Sequence, residues 1–361
     1  MADPQCTIQE LELIPNLRAV VLSNPHVSIA VLPDKGADIC SLVDRATGVD
    51  VMARFPHGLR APGQGVLSSN NLVAWMEMYE GGWQEILPNG GDPCVYKGAE
   101  LTFHGESTTL PWQYRVVHHT DAEIDVEFSV QLFRSPFHIS RRMVLNAATP
   151  AVRLIERVTN LAAEPMDFMW GHHPAYGAPF LSADTRLYTN AQTIVGDNAG
   201  RDGPSNAILP GSRSAWPMAA SREGGRTDLS IVPGEDQKRA AMGYLMDFAG
   251  DPWYALVNHR LKLGVGMTFT PQAWRYLWFW QEMRMRTGWP FYGRTCIMAV
   301  EPWSSWPGQG LANVMETTQT QHTLGAGESL DGELLVSFFQ LEPGYRIDKV
   351  ELDSGVIVAP V

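Results

Sequence analysis

Glu123-Ile124-Asp125-Val126-Glu127-Phe128-Ser129-Val130-Gln131-Leu132 alternates polar and apolar residues without a break. Successive side chains of a strand point to opposite faces, so this period of two describes a strand with one buried face and one wet face. Outward from it the same pattern recurs. His26 to Leu32 reads as a strand and Pro33-Asp34-Lys35-Gly36-Ala37 as the turn after it. Val152 to Val158, Lys262 to Phe269 and Gly332 to Phe339 continue the period, and 33 Gly and 25 Pro punctuate these runs at short intervals. No sustained amphipathic helix with caps is legible; Gly65 to Tyr79 has room for a short one. The expectation is an all-β chain of many antiparallel strands in packed sheets. Neither an internal repeat nor a linker is visible, so residues 1–361 read as a single domain. Asn198 to Asp228, rich in Gly, Ser, Pro and Arg, reads as a long loop or lid.

Composition narrows the partners. The 361 residues are 45% hydrophobic and 18% charged, which fits a large buried core and not long disorder. The net charge is −12, from 27 Lys+Arg against 39 Asp+Glu, and no basic block interrupts it. That argues against nucleic acid and against an anionic membrane surface. No segment is apolar for the length of a bilayer span. Met1 to Gln5 lacks the charged start and apolar run of a secretory signal. Cys6, Cys40, Cys94 and Cys296 are far apart with no CxxC pair, and read as reduced thiols of a cytoplasmic protein.

Three polar islands break the apolar pattern: His104-Gly105-Glu106, Trp170-Gly171-His172-His173-Pro174 and Val300-Glu301-Pro302. Each ends an apolar or aromatic run beside a Gly or Pro, where a rigid sheet displays titratable groups in a cleft. Two imidazoles and a carboxylate can move protons at neutral pH without a metal or organic cofactor. Glu301 lies among Ile297, Met298, Val300, Pro302 and Trp303, an apolar surround that would raise a carboxyl pKa toward that of a useful base. His172 is the neighbour expected to face away from His173.

The islands, with the stretches around them, resemble the aldose 1-epimerase (galactose mutarotase-like) superfamily. Gly81-Gly82-Trp83-Gln84-Glu85-Ile86-Leu87-Pro88-Asn89-Gly90-Gly91 followed by Phe103-His104-Gly105 is similar to its Gly-rich stretch leading to a His-Gly. His173-Pro174-Ala175-Tyr176 is similar to its His-Pro-aromatic segment, and Val300-Glu301-Pro302 to its late Glu-Pro strand end. The likeness runs from about Val20 to Phe339. It implies a large twisted antiparallel β-sandwich with a sugar in an open cleft on one sheet, and interconversion of α and β anomers. It also implies Glu301 as general base, His173 as general acid, and His104 as a second imidazole on the sugar oxygens. Tyr176 falls in the His-Pro-aromatic segment and counts among the substrate-binding residues.

There are departures. The superfamily's sugar-contacting Arg has no counterpart in Asn89-Gly90-Gly91-Asp92-Pro93. Glu106 follows the His-Gly where phosphosugar-type members carry an apolar residue and a downstream Arg, which points to an unphosphorylated sugar and makes Glu106 a candidate for the cleft. The sugar-binding Asp has no secure match; Asp247 and Asp251 lie in the plausible region. Trp278, Trp280 and Glu282 share one face of Tyr276 to Glu282, with Gln281 on the other, and either face could line the cleft. Indole faces pack against the C–H faces of pyranoses, although aromatic clusters are by default core.

The reading that follows is an enzyme acting on a small carbohydrate without a cofactor or metal. Two rivals stay open. The missing Arg suits a non-catalytic carbohydrate-binding sandwich. His104, Glu106 and the paired His172-His173 suit a metal-assisted sugar lyase or isomerase, though no local ligand spacing such as HxxxH supports a metal.

Overall fold

The computed structural model describes residues 5–65, 68–198, 205–234 and 236–361. Glu123–Gln131 is a strand, and Ile124, Val126, Phe128 and Val130 all turn inward, as the alternation requires. Val27–Leu32, Ala151–Asn160, Leu263–Phe269 and Ser329–Phe339 are likewise strands where the period predicted them. The turn between Val27–Leu32 and the next strand, Asp38–Asp44, needs Gly36 at φ +63°, where an added Cβ would lie 2.5 Å from the Thr108 carbonyl oxygen. The short helix is Asn71–Met78.

The strands form two large sheets. Twelve strands build the first, in the order Thr7–Ile14, Leu17–Ser23, Val27–Leu32, Asp38–Asp44, Trp83–Ile86, Gly171–Tyr176, Cys296–Trp303, Tyr276–Met283, Arg239–Phe248, Ala191–Gly196, Arg213–Ala215, with Val49–Asp50 added on Asp38–Asp44. Eight build the second: Thr185–Thr189, Trp253–Asn258, Leu263–Phe269, Ser329–Phe339, Ala151–Asn160, Phe137–Asn146, Glu123–Gln131, Gln113–His119. Neighbours within each sheet run antiparallel. The sheets pack face to face as a sandwich. Ile39, Trp83, Phe279 and Val300 of the first, with Trp170 just before Gly171–Tyr176, meet Val126, Phe128, Leu154, Leu334 and Val336 of the second in one core. Each such side chain contributes about 1.5–3 kcal/mol on burial.

The stretch expected to be a lid is built differently. Residues 199–204 fall outside the described residues. From Asn206 to Asp228 the chain is pinned down, with Ile208, Ala219 and Asn206 buried and a small ladder between Met218–Ala220 and Arg226–Asp228.

Polar links also cross the core. Arg141 of the eight-stranded sheet is fully buried; its Nη2 donates to the Ala37 carbonyl, and its Nη1 lies 3.5 Å from Glu85 Oε2. Its guanidinium carbon lies 5.3 Å from the Trp112 ring and 5.8 Å from Phe128. Glu156 reaches across to His172, with Oε2 2.9 Å from Nε2. The four thiols carry no disulfide. Among the described residues no helix is long and apolar enough to cross a membrane.

Burial pushes Glu85 up to about 7, with Arg141 pulling it back toward ionisation. Arg141→Met removes the cation beside Glu85 and the donor to the Ala37 carbonyl while keeping most of the volume, and leaves Glu85 the Trp170 Nε1 donor at 3.0 Å. The expected loss is about 3–5 kcal/mol at pH 8. At pH 5 the loss is smaller, because Glu85 is then neutral. Urea denaturation at the two pH values measures both; an equal, small effect at each would show the link to be dispensable.

Candidate active site

Three adjacent strands of the large sheet, Gly171–Tyr176, Cys296–Trp303 and Tyr276–Met283, form the floor of the site. Alternation sends Trp170, Tyr176, Met298, Val300, Leu277 and Phe279 into the sandwich core. The intervening residues His173, Glu301, Trp303, Trp278 and Trp280 go to the other face. Register then sets the partners: Trp278 lies opposite Glu301, and Gly171 opposite Trp303. A Cβ on Gly171 would sit 2.2 Å from the Trp303 ring, and one on Gly90 2.4 Å from it. Both positions therefore need glycine, and Trp303 lies across them, stacked on Trp278 with ring centroids 4.0 Å apart and planes at 14°. In that pose Trp303 Nε1 donates to Glu301 Oε2 at 2.9 Å. His173 Nε2 lies 3.5 Å from Glu301 Oε1. Both side chains are nearly buried, at 7% and 2% exposure.

His104 arrives from a tight turn, with φ +53° at His104 and +67° at Gly105. An added Cβ at Gly105 would lie 2.3 Å from the Leu87 carbonyl oxygen. The Gly91 amide donates to His104 Nδ1 at 3.2 Å, so the ring proton of neutral His104 resides on Nε2. The His104 and His173 rings are 5.5 Å apart. The helix Asn71–Met78 closes this side. Asn70 caps it by accepting from the Leu72 and Val73 amides, and Trp75 Nε1 donates to Thr108 Oγ1 at 3.1 Å. Trp75 stacks on Tyr79 at 4.8 Å and lies 4.8 Å from His104, while Tyr79 meets the His173 ring edge-on at 5.6 Å.

These groups line a cavity of about 390 Å³. Its remaining wall carries polar groups that the sequence reading missed. Asp197 accepts from Tyr244 Oη at 2.5 Å and Gln309 Nε2 at 2.8 Å. Arg286 is held by Glu282, which accepts from Arg286 Nε at 2.6 Å and from the Met285 and Arg286 amides at 2.7 and 3.1 Å. The guanidinium carbon lies 4.2 Å from the Phe291 ring.

The structure thus brings Glu301, His173, His104, Trp278 and Trp280 together. Glu282 shares their face but sits behind the wall, fully buried beneath Arg286. Four other expected residues lie elsewhere. The Glu106 carboxylate turns away to accept from the Arg134 and Ser135 amides and Ser135 Oγ, because the positive-φ turn at His104-Gly105 reverses the chain. Asp247 is exposed and pairs with Arg213. Asp251 is exposed, and its carbonyl accepts from Asn190. Tyr176 lies in the core, its hydroxyl 2.8 Å from that of Tyr254.

Burial sets the electrostatics. Desolvation pushes the Glu301 carboxyl up to about 8, against the opposing pull of the Trp303 donor. It pushes His173 down to about 4 and His104 well below the usual imidazole range, the latter helped by His173. Both imidazoles are neutral at pH 7. Groups displaced this far, gathered in one cleft, mark a candidate for acid–base chemistry.

With Glu106 turned away, His104, Glu106 and His173 do not form a ligand set. Among the described residues, Glu85, Glu156 and His172 have donor atoms within 4.8 Å of one another. They do not fit a metal: Trp83 Nε1 already donates to His172 Nδ1 at 3.0 Å, His172 Nε2 serves Glu156, and Arg141 supplies the positive charge. His172 therefore faces the core, as expected from its neighbour's outward aim.

Similarity to known proteins agrees with this architecture. A Klebsiella pneumoniae protein described as a candidate aldose 1-epimerase superposes with a TM-score of 0.70 at 15% identity, over 94% of this chain and 85% of that one. A galactose mutarotase-like protein from Clostridium acetobutylicum gives 0.64 at 16%, over 93% and 99%. An Escherichia coli K12 protein, also a candidate aldose 1-epimerase, gives 0.59 at 17%, over 93% and 100%. At these identities the likeness shows the fold, which is the galactose mutarotase-like sandwich. No curated protein matches the sequence. The profile of a family described as a domain of unknown function, DUF4432, matches residues 16–337, and the chain belongs to that family.

Proposed function

We propose that this protein is a sugar mutarotase, catalysing exchange between the α and β anomers of an unphosphorylated sugar by general acid–base catalysis. The observation that carries the reading is the approach of His173 Nε2 to within 3.5 Å of Glu301 Oε1 in an indole-lined cavity of sugar size.

Anomerisation opens and recloses a hemiacetal ring. One group takes the proton from the anomeric hydroxyl while another gives a proton to the ring oxygen; the C1–C2 bond rotates and the steps reverse. With Glu301 pushed up to about 8 and His173 down to about 4, the two share one exchangeable proton between those limits. That single proton is what the reaction needs, since one member of the pair is then an acid and the other a base. At rest that proton sits on Glu301; its passage across the 3.5 Å gap to His173 leaves Glu301 as the base and His173 as the acid, which is the working assignment. His104, neutral with its proton on Nε2, donates to the oxygen on which charge develops. Asp197, through its acceptor oxygens, and the indoles of Trp280 and Trp75 orient the ring.

Saturation-transfer NMR on a panel of aldoses tests the reading. Anomer exchange faster than the spontaneous rate supports it; binding by calorimetry with no acceleration for any sugar returns the protein to the non-catalytic sandwich. For an active sugar, Glu301→Gln lowers kcat by about 10²–10⁴-fold with a small change in KM. Retention of full activity by this variant removes Glu301 as the base.

The pH profile follows from the same pair. Below about 4 both groups are protonated and no base remains; above about 8 both are deprotonated and no acid remains. The kcat/KM profile is expected to be bell-shaped between these limbs. Trp303→Phe deletes the donor that favours the ionised carboxylate, so the alkaline limb moves to higher pH. A limb that stays in place or moves down separates Glu301 from that ionisation.

A further inference from the structure

We infer that the sugar is a 6-deoxyhexopyranose, its C5 methyl group received by the rings of Trp75, Tyr79 and Trp280; the inference deepens the mutarotase reading and rests on it. Register lays the site out as a row across the large sheet, one residue per strand. Gly171 lies opposite Trp303 and Ala175 opposite Ala299, which sets His173 opposite Glu301. Trp278 follows opposite Glu301, and Tyr244 of Arg239–Phe248 opposite Trp278. Polar groups collect at the Tyr244 end, where Tyr244 Oη and Gln309 Nε2 both donate to Asp197 Oδ1. The His173 end is aromatic. The His173 ring lies 5.6 Å from Tyr79, 6.4 Å from Trp75 and 5.8 Å from Trp280, and all three line the cavity. Trp75 Nε1 is spent on Thr108 Oγ1, and the Tyr79 hydroxyl is itself buried, so these two side chains offer the cavity ring carbon. Leu72 and Met76, from the same helix as Trp75, extend this apolar wall. Arg286 packs on Phe291, the ring next to Trp280 along it.

The reaction decides which part of the sugar meets which end. Glu301 works at the hydroxyl on C1, and His173 at the ring oxygen. That oxygen is bonded to C1 and C5 alone. With C1 toward Glu301, C5 and its substituent extend past His173 into the aromatic end. C2 and C3, on the other side of C1, carry their hydroxyls toward Trp278 and Asp197. A hydroxymethyl group or a carboxylate at C5 would give up its hydration among rings. A methyl group there gains burial and has no hydrogen bond to lose. The split between a polar end and an aromatic end thus matches a sugar that is hydroxylated at C2 and C3 and apolar beyond C5.

The test pairs 6-deoxy sugars with their hydroxymethyl parents: D-fucose with D-galactose, 6-deoxy-D-glucose with D-glucose, L-fucose with L-galactose, and L-rhamnose with L-mannose. Anomer exchange is followed by saturation-transfer NMR, and binding by calorimetry. In at least one pair the deoxy sugar is expected to be favoured by about 10–100-fold in kcat/KM and in affinity, the scale on which an apolar pocket rejects an added hydroxyl. Trp280→Gln, which opens the wall and brings in an amide, collapses the ratio in that pair even where both sugars slow down. If this variant does not fold, the wild-type ratios decide alone. Parents exchanged as fast and bound as tightly as their deoxy sugars, or a ratio untouched by Trp280→Gln, overturn the inference while leaving the mutarotase reading intact. A deoxy sugar bound preferentially but exchanged no faster than in buffer upholds the apolar selection and overturns the mutarotase reading. Neither binding nor exchange in any pair overturns both.

Discussion

The site depends on the pairing of Gly171 with Trp303 across two neighbouring strands. With no side chain at Gly171, the indole lies flat over the strand, stacks on Trp278 and turns its N–H to Glu301. The same register leaves His173, two residues on, facing Glu301. A slip of one residue would exchange His173 for His172, whose nitrogens are already committed to Trp83 and Glu156 inside the sandwich. Adjacent histidines thus do opposite jobs. One joins the two sheets through a buried link, and the other faces the cavity. The buried link in turn resists slippage, because sliding the strand would strand Glu156 without a donor in the core.

Much of this arrangement was legible because strand alternation is a rule about faces. Offsets of two put Trp278, Trp280 and Glu282 together and put Glu301 with Trp303. The same rule would have removed Tyr176, which lies three residues from His173 and hence on the core face. It also explains why Glu282 was half understood: its face was readable, but its burial under Arg286 depends on the path of the following loop. Glu106 was misplaced because its direction is set by two successive positive-φ residues, a conformation that a histidine does not advertise.

The aspartate was missed for a related reason. Asp247 and Asp251 have the right chain position relative to the next strand, but both end in solvent. Asp197 follows Val195-Gly196 at the end of Ala191–Gly196, the same setting of apolar run, glycine and polar residue that marked the three islands. Its partners Tyr244 and Gln309 are far away in sequence, so no local pattern names it. Arg286 is similar. It is fixed by Glu282 four residues earlier, which only becomes an anchor once the strand ends and the chain doubles back.

The chemistry and the stability of the fold pull against each other at Glu301. An apolar floor is what lifts its carboxyl, and the Trp303 N–H donor moderates that lift. An acid whose folded pKa exceeds its unfolded one favours folding at low pH, and that contribution disappears as pH rises through about 8. Glu156 and Glu85, pushed up to about 8 and 7, act in the same direction, so three buried carboxyls weaken the fold as pH rises from the usual carboxylate range toward 8. Only Glu301 of the three lines the cavity. The two core carboxyls return something structural for that cost, since they tie the sheets together through Arg141 and His172. Glu301 makes no comparable link between the sheets; its neighbours are the Trp303 indole, which donates to it, and the His173 imidazole 3.5 Å away. A buried acid that weakens the fold without crosslinking it is best understood as serving a ligand.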